Sequence, residues 1–289
     1  MEPTEPFFKR IAIIGLGLIG GSWALALKKL GYPARRIGYD VPSVLRQAIA
    51  SGAVHEGAPD AVAAAKGADL VILATPVAKI LDLLDQLKLS ASPQALITDV
   101  GSTKRLITEH AKEWPAGSPL FLGGHPLAGK ELSGFQSADA ALFQDARYAL
   151  VPSSAAVMDD VRVRAFVKLI QSLKAEPFVM DAAAHDLAVA YLSHLPQMLS
   201  TGLAGLLAEN TEKFPLEMAG PGFRDLTRLA ESPYSMWRDI CLTNSENIRS
   251  AIDAMIQKLD TIKTHLSTRE LESEFEQARK LREKLRHQD

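Results

Sequence analysis

The sequence predicts an α/β fold, a mostly parallel sheet with helices on both faces, followed by a separate all-helical domain. Short β-rich runs alternate with helix-length segments over the first two-thirds of the 289 residues. The opening strand candidates are apolar throughout rather than alternating, as strands covered on both faces must be. After residue 181 the strand signals stop and apolar residues recur at helical spacing.

Taken in order, the strand candidates are "RIAIIG" (10–15), "RIGYD" (36–40), "DLVILA" (69–74), "ALITDV" (95–100), "LFLGG" (120–124), "RYALVP" (147–152) and "EPFVMD" (176–181). Helix-length segments at 21–29, 43–51 and 77–88 lie between them and supply the crossovers of βαβ units. From residue 182 onward Pro196, Pro215, "GPG" (220–222) and Pro233 punctuate helical spacing. The predicted boundary therefore falls near Asp181, with domains over 1–181 and 182–289. The segment 187–208 is apolar nearly all round and is expected to be buried on every side. A helical domain of this size has little room to enclose it alone, so a homodimer core formed by this domain is expected. The tail 268–289 reads as a charged, solvated helix.

Composition removes several classes of function. Apolar residues make up 47%, charged residues 23%, and the net charge is −2. That balance offers no electrostatic reason for a nucleic-acid or anionic-membrane partner. Cys241 is the single cysteine, so there is no intrachain disulfide and no thiol-based metal site; this fits a reducing, cytoplasmic setting. The first ten residues lack a signal-peptide apolar core. The long apolar runs 11–27 and 187–208 are broken by glycines and by His194, Pro196 and Gln197, and read as buried globular elements rather than bilayer spans.

"IAIIGLGLIGGS" sets Gly15, Gly17 and Gly20 in a G-x-G-x-x-G pattern between a strand and a helix. Gly15 permits the tight turn, Gly17 lets backbone approach a pyrophosphate, and Gly20 allows close helix–strand packing. The loop residues Leu18 and Ile19 open the helix whose free N–H groups would receive the anion. Asp40 closes "RIGYD" 20 residues after Gly20, where a carboxylate accepts hydrogen bonds from ribose hydroxyls. The two features together define a Rossmann-type dinucleotide site. A 2′-phosphate beside Asp40 would meet like charge, with no basic residue before Arg46, so NAD is expected over NADP.

Two further motifs sit at carboxyl ends of strands, the edge where open α/β sheets bind ligands: "DVGSTK" (99–104) and "LGGHPLAGKE" (122–131). Pro126 can neither donate to a ladder nor continue a helix, so the chain is expected to leave regular structure just after His125. An imidazole held in a Gly-rich turn at a strand end is well placed for proton chemistry. In the helical region, "HDLAVAYLSHLPQ" (185–197) and "GPGFRDLTRLAESPYSMWRDI" (220–240) bring ionisable residues into apolar surroundings, where they are costly unless paired or used.

In this order, "GLGLIGGS", "DVGSTK", "GGHPLAGKE", "SHLPQ" and "FRDLTRLAESPYSMWRDI" resemble the prephenate/arogenate dehydrogenases, the TyrA family of tyrosine biosynthesis, over about residues 10–247. The resemblance implies oxidation of a cyclohexadienol with loss of CO₂, and NAD as hydride acceptor. It makes His125 the catalytic histidine that bonds the substrate's C4 hydroxyl, with Ser102 orienting it. Arg228 is implied as the carboxylate-binding arginine and His194 as a substrate-pocket histidine. Glu131, Asp225 and Trp237 fall on positions at the pocket mouth, and Thr75 and Pro76 on the nicotinamide side. For His185 the choice between the pocket and packing stays open. So does that between prephenate, arogenate and dual specificity. A β-hydroxy acid dehydrogenase would carry a lysine on the core helix, and none occurs from 187 through 210. A non-catalytic NAD sensor would have no need of His125, Ser102 and Arg228 together.

Overall fold

A computed structural model describes residues 6–286 apart from 131 and 211. One eight-stranded sheet organises the first part of the chain: β1 (Arg10–Ile14), β2 (Arg35–Tyr39), β3 (Glu56–Gly57), β4 (Leu70–Leu73), β5 (Leu96–Asp99), β6 (Leu120–Pro126), β7 (Arg147–Val151) and β8 (Glu176–Val179), in the spatial order β3-β2-β1-β4-β5-β6-β7-β8. The pairs from β3 to β6 are parallel, β6 and β7 are antiparallel, and β7 and β8 are parallel again. All seven strands expected from the sequence form; the two-residue β3 carries no apolar run that would have announced it.

Helices α1 (Leu18–Lys29), α2 (Pro42–Ala50), α3 (Ala61–Ala65), α4 (Val77–Ser90), α5 (Arg105–Lys112) and α6 (Val161–Ser172) cover the sheet. Alternate residues of each strand feed opposite cores, as a pleated strand requires. Ile11 and Ile13 join Trp23, Tyr148 and Phe166 on one face, with Trp23 and Phe166 stacked at 5.8 Å. Ala12 and Ile14 join Leu83, Leu87 and Ile107 on the other.

β6 corrects one expectation, because the strand runs through His125 to Pro126 instead of ending before the proline. Leu120–Leu122 pair with β5, and Gly123–Pro126 pair with β7, so the strand changes neighbours midway. Gly123 and His125 face β7 through their backbone, while the Gly124 N–H points to the β5 side, where Asp99 Oδ1 accepts it at 3.1 Å. Pro126 faces that same side beyond the end of β5, so its missing N–H forfeits no ladder bond.

The helical part begins at Asp181, whose carboxylate accepts from the Ala183 and Ala184 N–H groups and caps α7 (Ala182–Val189). A π-helical turn (Ala190–His194) joins α7 to α8 (Leu195–Ala208), closed by the Leu195 N–H on the Ala190 carbonyl. Pro196 cannot donate to the carbonyl that a regular α turn would offer it, and the widened turn relieves that conflict. Four helices follow: α9 (Pro221–Thr227), α10 (Tyr234–Thr243), α11 (Ser245–His265) and α12 (Glu270–Arg286). The segment expected to be buried all round is not buried within one chain: Leu187, Leu192, Leu199 and Leu206 are exposed, Leu192 at 81%. No helix among the described residues is long and apolar enough to cross a membrane.

The two parts are joined by capping in trans. Neither α4 nor α5 has a side-chain cap of its own. Asp239 of α10 accepts from the Ala78 N–H at the start of α4 at 3.1 Å. Asp186 of α7 accepts from the Lys104 and Arg105 N–H groups at the start of α5, at 2.7 and 2.9 Å. Each carboxylate satisfies donors that a helix start leaves open and sits at the positive end of a helix dipole.

Candidate active site

The glycine loop closes as its sequence requires. Gly15 has φ +92°, and a Cβ there would lie 2.4 Å from the Ala74 carbonyl oxygen. A Cβ at Gly20 would lie 1.9 Å from the Gly15 carbonyl oxygen, so α1 can approach β1 only with glycine at this point. At Gly17 nothing lies within 4 Å of the Cβ position, and Gly17 caps α1 with no side-chain bond. The first N–H groups of α1 therefore face open space, an anion seat bordered by Leu18 and Ile19. Asp40, at the end of β2, accepts from the Leu16 N–H at 2.6 Å and from its neighbour Val41 at 2.6 Å. Those bonds hold the carboxylate beside the loop while leaving it lone pairs for a ligand.

From this loop a cavity of about 860 Å³ extends between the sheet edge and the helical domain. Thr75 and Pro76, after β4, line it next to the glycine loop, and Ser102, after β5, lines it next. His125 stands on the adjacent strand, and His185, His194 and Trp237 form the wall contributed by the helical domain.

His125 is half-buried and has a fixed partner: its Nδ1 lies 2.9 Å from His185 Nε2. His185 is buried, and its Nδ1 lies 2.8 Å from Asp186 Oδ1. The Asp186 carboxylate that ends this chain is the one that caps α5. Beneath it, Asp99 and Lys104 form a fully buried ion pair, and Asp99 also accepts from the Gly101 and Gly124 N–H groups. The backbone immediately before His125 is thereby tied to β5. Burial pushes the His125 imidazole well below its usual range, helped by the charges of His185, Lys104 and His194. At neutral pH it is an uncharged base.

His194, on the π turn, is buried, and burial lowers it to about 4. Its ring meets Trp237 edge to face at 5.7 Å. Trp237 and Thr75 line the cavity, and their Nε1 and Oγ1 are buried with no hydrogen-bond partner among the described residues.

Several expected residues are placed differently. No hydrogen bond joins Ser102 to His125; His185 occupies the nitrogen that Ser102 was expected to orient. Ser102 stays on the cavity wall, and the cap of α5 that it could have provided is supplied by Asp186. Arg228 and Asp225 do not line the cavity. Gln197 Nε2 donates to the Leu229 carbonyl at 2.9 Å and holds the turn Arg228–Glu231 on α8; Arg228 on that turn and Asp225 on α9 are both exposed. Glu131 lies outside the described residues. The described cation on the cavity wall, apart from the histidines, is Lys130, paired with Asp139 at 3.1 Å. Asp186, Asn244 and Lys130 were not singled out from the sequence; only the buried "HD" pair at 185–186 carried a signal that could have pointed to one of them.

An anion seat at one end of a cavity and an uncharged, rigidly partnered imidazole further along it divide hydride and proton between them, which is the arrangement of a dinucleotide-dependent dehydrogenase. Family models described as prephenate dehydrogenase, nucleotide-binding domain, and prephenate dehydrogenase, dimerization domain, match residues 23–179 and 181–286. The chain belongs to the prephenate dehydrogenase family. It is 36% identical to the prephenate dehydrogenase of Bacillus subtilis (strain 168), with 92% of this chain and 72% of that protein covered. The crystal structure of prephenate dehydrogenase from A. aeolicus in complex with hydroxyphenyl propionate and NAD+ is similar at a TM-score of 0.88 and 27% identity, covering 99% of this chain and all of that one. Synechocystis arogenate dehydrogenase is similar at a TM-score of 0.79 and 31% identity, covering 96% and 99%.

Proposed function

We propose that this chain oxidises and decarboxylates prephenate to 4-hydroxyphenylpyruvate with NAD, in tyrosine biosynthesis. The observation that carries this reading is the run from His125 through His185 to Asp186. Asp186 accepts from His185 Nδ1–H, so a neutral His185 offers Nε2 as an acceptor to His125 Nδ1–H. His125 is left with a lone pair on Nε2, the nitrogen on its cavity side, which is the form a general base requires. There it takes the proton of the substrate's C4 hydroxyl as that carbon gives up hydride and the ring carboxylate leaves as CO₂. The imidazolium that forms is stabilised through His185 by the Asp186 carboxylate.

The residues present fit NAD. The open space at Gly17, the uncapped start of α1 and the unpartnered Thr75 hydroxyl form a cradle along one side of the cavity, with Asp40 at its far end. NAD supplies the hydride acceptor when bound. Gly15, Gly17, Leu18, Ile19 and Gly20 would hold its pyrophosphate, Asp40 its ribose, and Thr75 and Pro76 its nicotinamide side. The Asp40 carboxylate disfavours a 2′-phosphate.

Prephenate is favoured over arogenate by the polarity of the helical-domain wall. Trp237 Nε1–H is a buried donor with no partner among the described residues, suited to the oxygens of a pyruvyl side chain. Lys130 supplies positive charge for a dianionic substrate. A homodimer through the helical domain would cover the exposed leucines; Leu192 is both exposed at 81% and part of the cavity wall, so a second copy would also complete the site.

Purified protein mixed with NAD and either prephenate or arogenate, followed by NADH absorbance, tests the assignment. Turnover of prephenate with higher kcat/KM is expected. Turnover of arogenate alone would reverse the preference, and turnover of neither would refute the reading.

A further inference from the structure

Asn244, at the start of α11, is buried at 4% exposure, and three groups fix its side chain. Its Nδ2 donates to the Asp186 carbonyl oxygen at 2.7 Å and lies 3.3 Å from His194 Nδ1. Its Oδ1 accepts from Asn247 Nδ2 at 2.8 Å. A backbone carbonyl can only accept, so the atom facing Asp186 must be the amide nitrogen. The same NH₂ group therefore meets His194 Nδ1, which must be the unprotonated nitrogen. A neutral His194 then carries its one proton on Nε2, on the edge of the ring away from Asn244. His194 lines the cavity together with Trp237, whose ring it meets edge to face at 5.7 Å and whose buried Nε1–H has no partner among the described residues.

We propose that Asn244 is a positioning residue that locks His194 as an Nε2–H donor, so that this end of the cavity selects a side chain ending in a 2-oxo acid over one bearing an ammonium. Asp186 then governs both histidines with different atoms. Its carboxylate acts through His185 to keep His125 a base, and its carbonyl acts through Asn244 to keep His194 a donor. The selection part of the inference rests on the dehydrogenase reading above; the tautomer part does not.

The test has two readouts on the full-length protein. With ¹⁵N-labelled histidine, ring-nitrogen shifts of unliganded wild type should show one unprotonated Nδ1 and one protonated Nε2 for His194, assigned by their loss in His194→Gln. Asn244→Ala should mix the tautomers and raise KM for prephenate about tenfold, the scale of one oriented hydrogen bond, with kcat within about threefold. His194→Gln retains an amide N–H on the cavity side, so adding Asn244→Ala to it should cost little more in KM. A protonated Nδ1 in wild type overturns the proposal, and so does an undiminished effect of Asn244→Ala in the His194→Gln background. If Asn244→Ala does not fold, the wild-type spectrum still decides. Failure of wild type to oxidise prephenate would refute the function and the selection, while the spectrum would judge the tautomer by itself.

Discussion

Replacing Asp186 with asparagine should remove the charge that stabilises a protonated His125 through His185. The carboxylate accepts three N–H groups: His185 Nδ1 at 2.8 Å and the Lys104 and Arg105 backbone at 2.7 and 2.9 Å. Asparagine has one accepting oxygen, and the Oδ1 position receives both His185 Nδ1–H and the Lys104 N–H, whereas Oδ2 receives only the Arg105 N–H. An amide oxygen at the Oδ1 position keeps two of the three bonds and turns the NH₂ group toward Arg105, so His185 keeps its tautomer and His125 keeps its lone pair. The imidazolium that forms on proton transfer then has no carboxylate behind it. Losing that charge should remove part of the usual contribution of positioned proton transfer, about 10–10² in kcat, or roughly 1–3 kcal/mol. Asp186→Ala removes the charge and the orienting acceptor together, so it should lose at least as much kcat as Asp186→Asn and more stability through the open α5 start, about 1 kcal/mol or more. Steady-state NADH kinetics and thermal melts of both variants are the assay. A folded Asp186→Asn protein with kcat within about threefold of wild type, or an alanine variant faster than the asparagine one, would refute the relay.

Lys130→Met should raise KM for prephenate about tenfold with little change in kcat, the pattern of lost uniform binding; an unchanged KM would place the substrate's anchor elsewhere. Asp40→Ala should weaken NAD far more than NADP, because it removes a ribose acceptor and a repulsion at once; equal losses in a cofactor titration would count against the ribose role. Stability should fall on acidification between pH 6.5 and about 4, the window set by His194. There the unfolded chain binds a proton that the folded site refuses, so the contribution is full above 6.5 and is lost as pH drops. The gap corresponds to roughly 3 kcal/mol, and His125, also lowered, adds in the same direction. Denaturant melts at pH 7 and pH 5 capture about 2 kcal/mol of it, and His194→Gln should flatten the difference.

What the sequence by itself determined is what local physics determines. Continuous apolar runs and helix-length spacers define seven of the strands and the mostly parallel sheet, because such patterns bury themselves in few ways, while the spatial order of the strands came from the structure. The glycine loop and Asp40 were legible for the same reason: steric limits at Gly15 and Gly20 act over neighbouring turns, and the motif states them in order. His125 could be placed at a strand end by its glycines and proline, although β6 ran two residues further because β7 pairs with its last part. The family resemblance supplied the chemistry.

The tertiary structure decided which groups touch. Asp186 lies 61 residues from His125, and Asn244 lies 50 from His194, so no local pattern links them. Ser102 and Arg228 look equally eligible in one dimension, yet His185 takes the nitrogen expected for the first, and the Arg228–Glu231 turn, held by Gln197 through the Leu229 carbonyl, carries the second at the surface. Whether a histidine is a base or a donor depends on where its proton sits, and that is set by hydrogen-bond partners drawn from three separate elements. A sequence encodes those partners only through the packing of the whole chain.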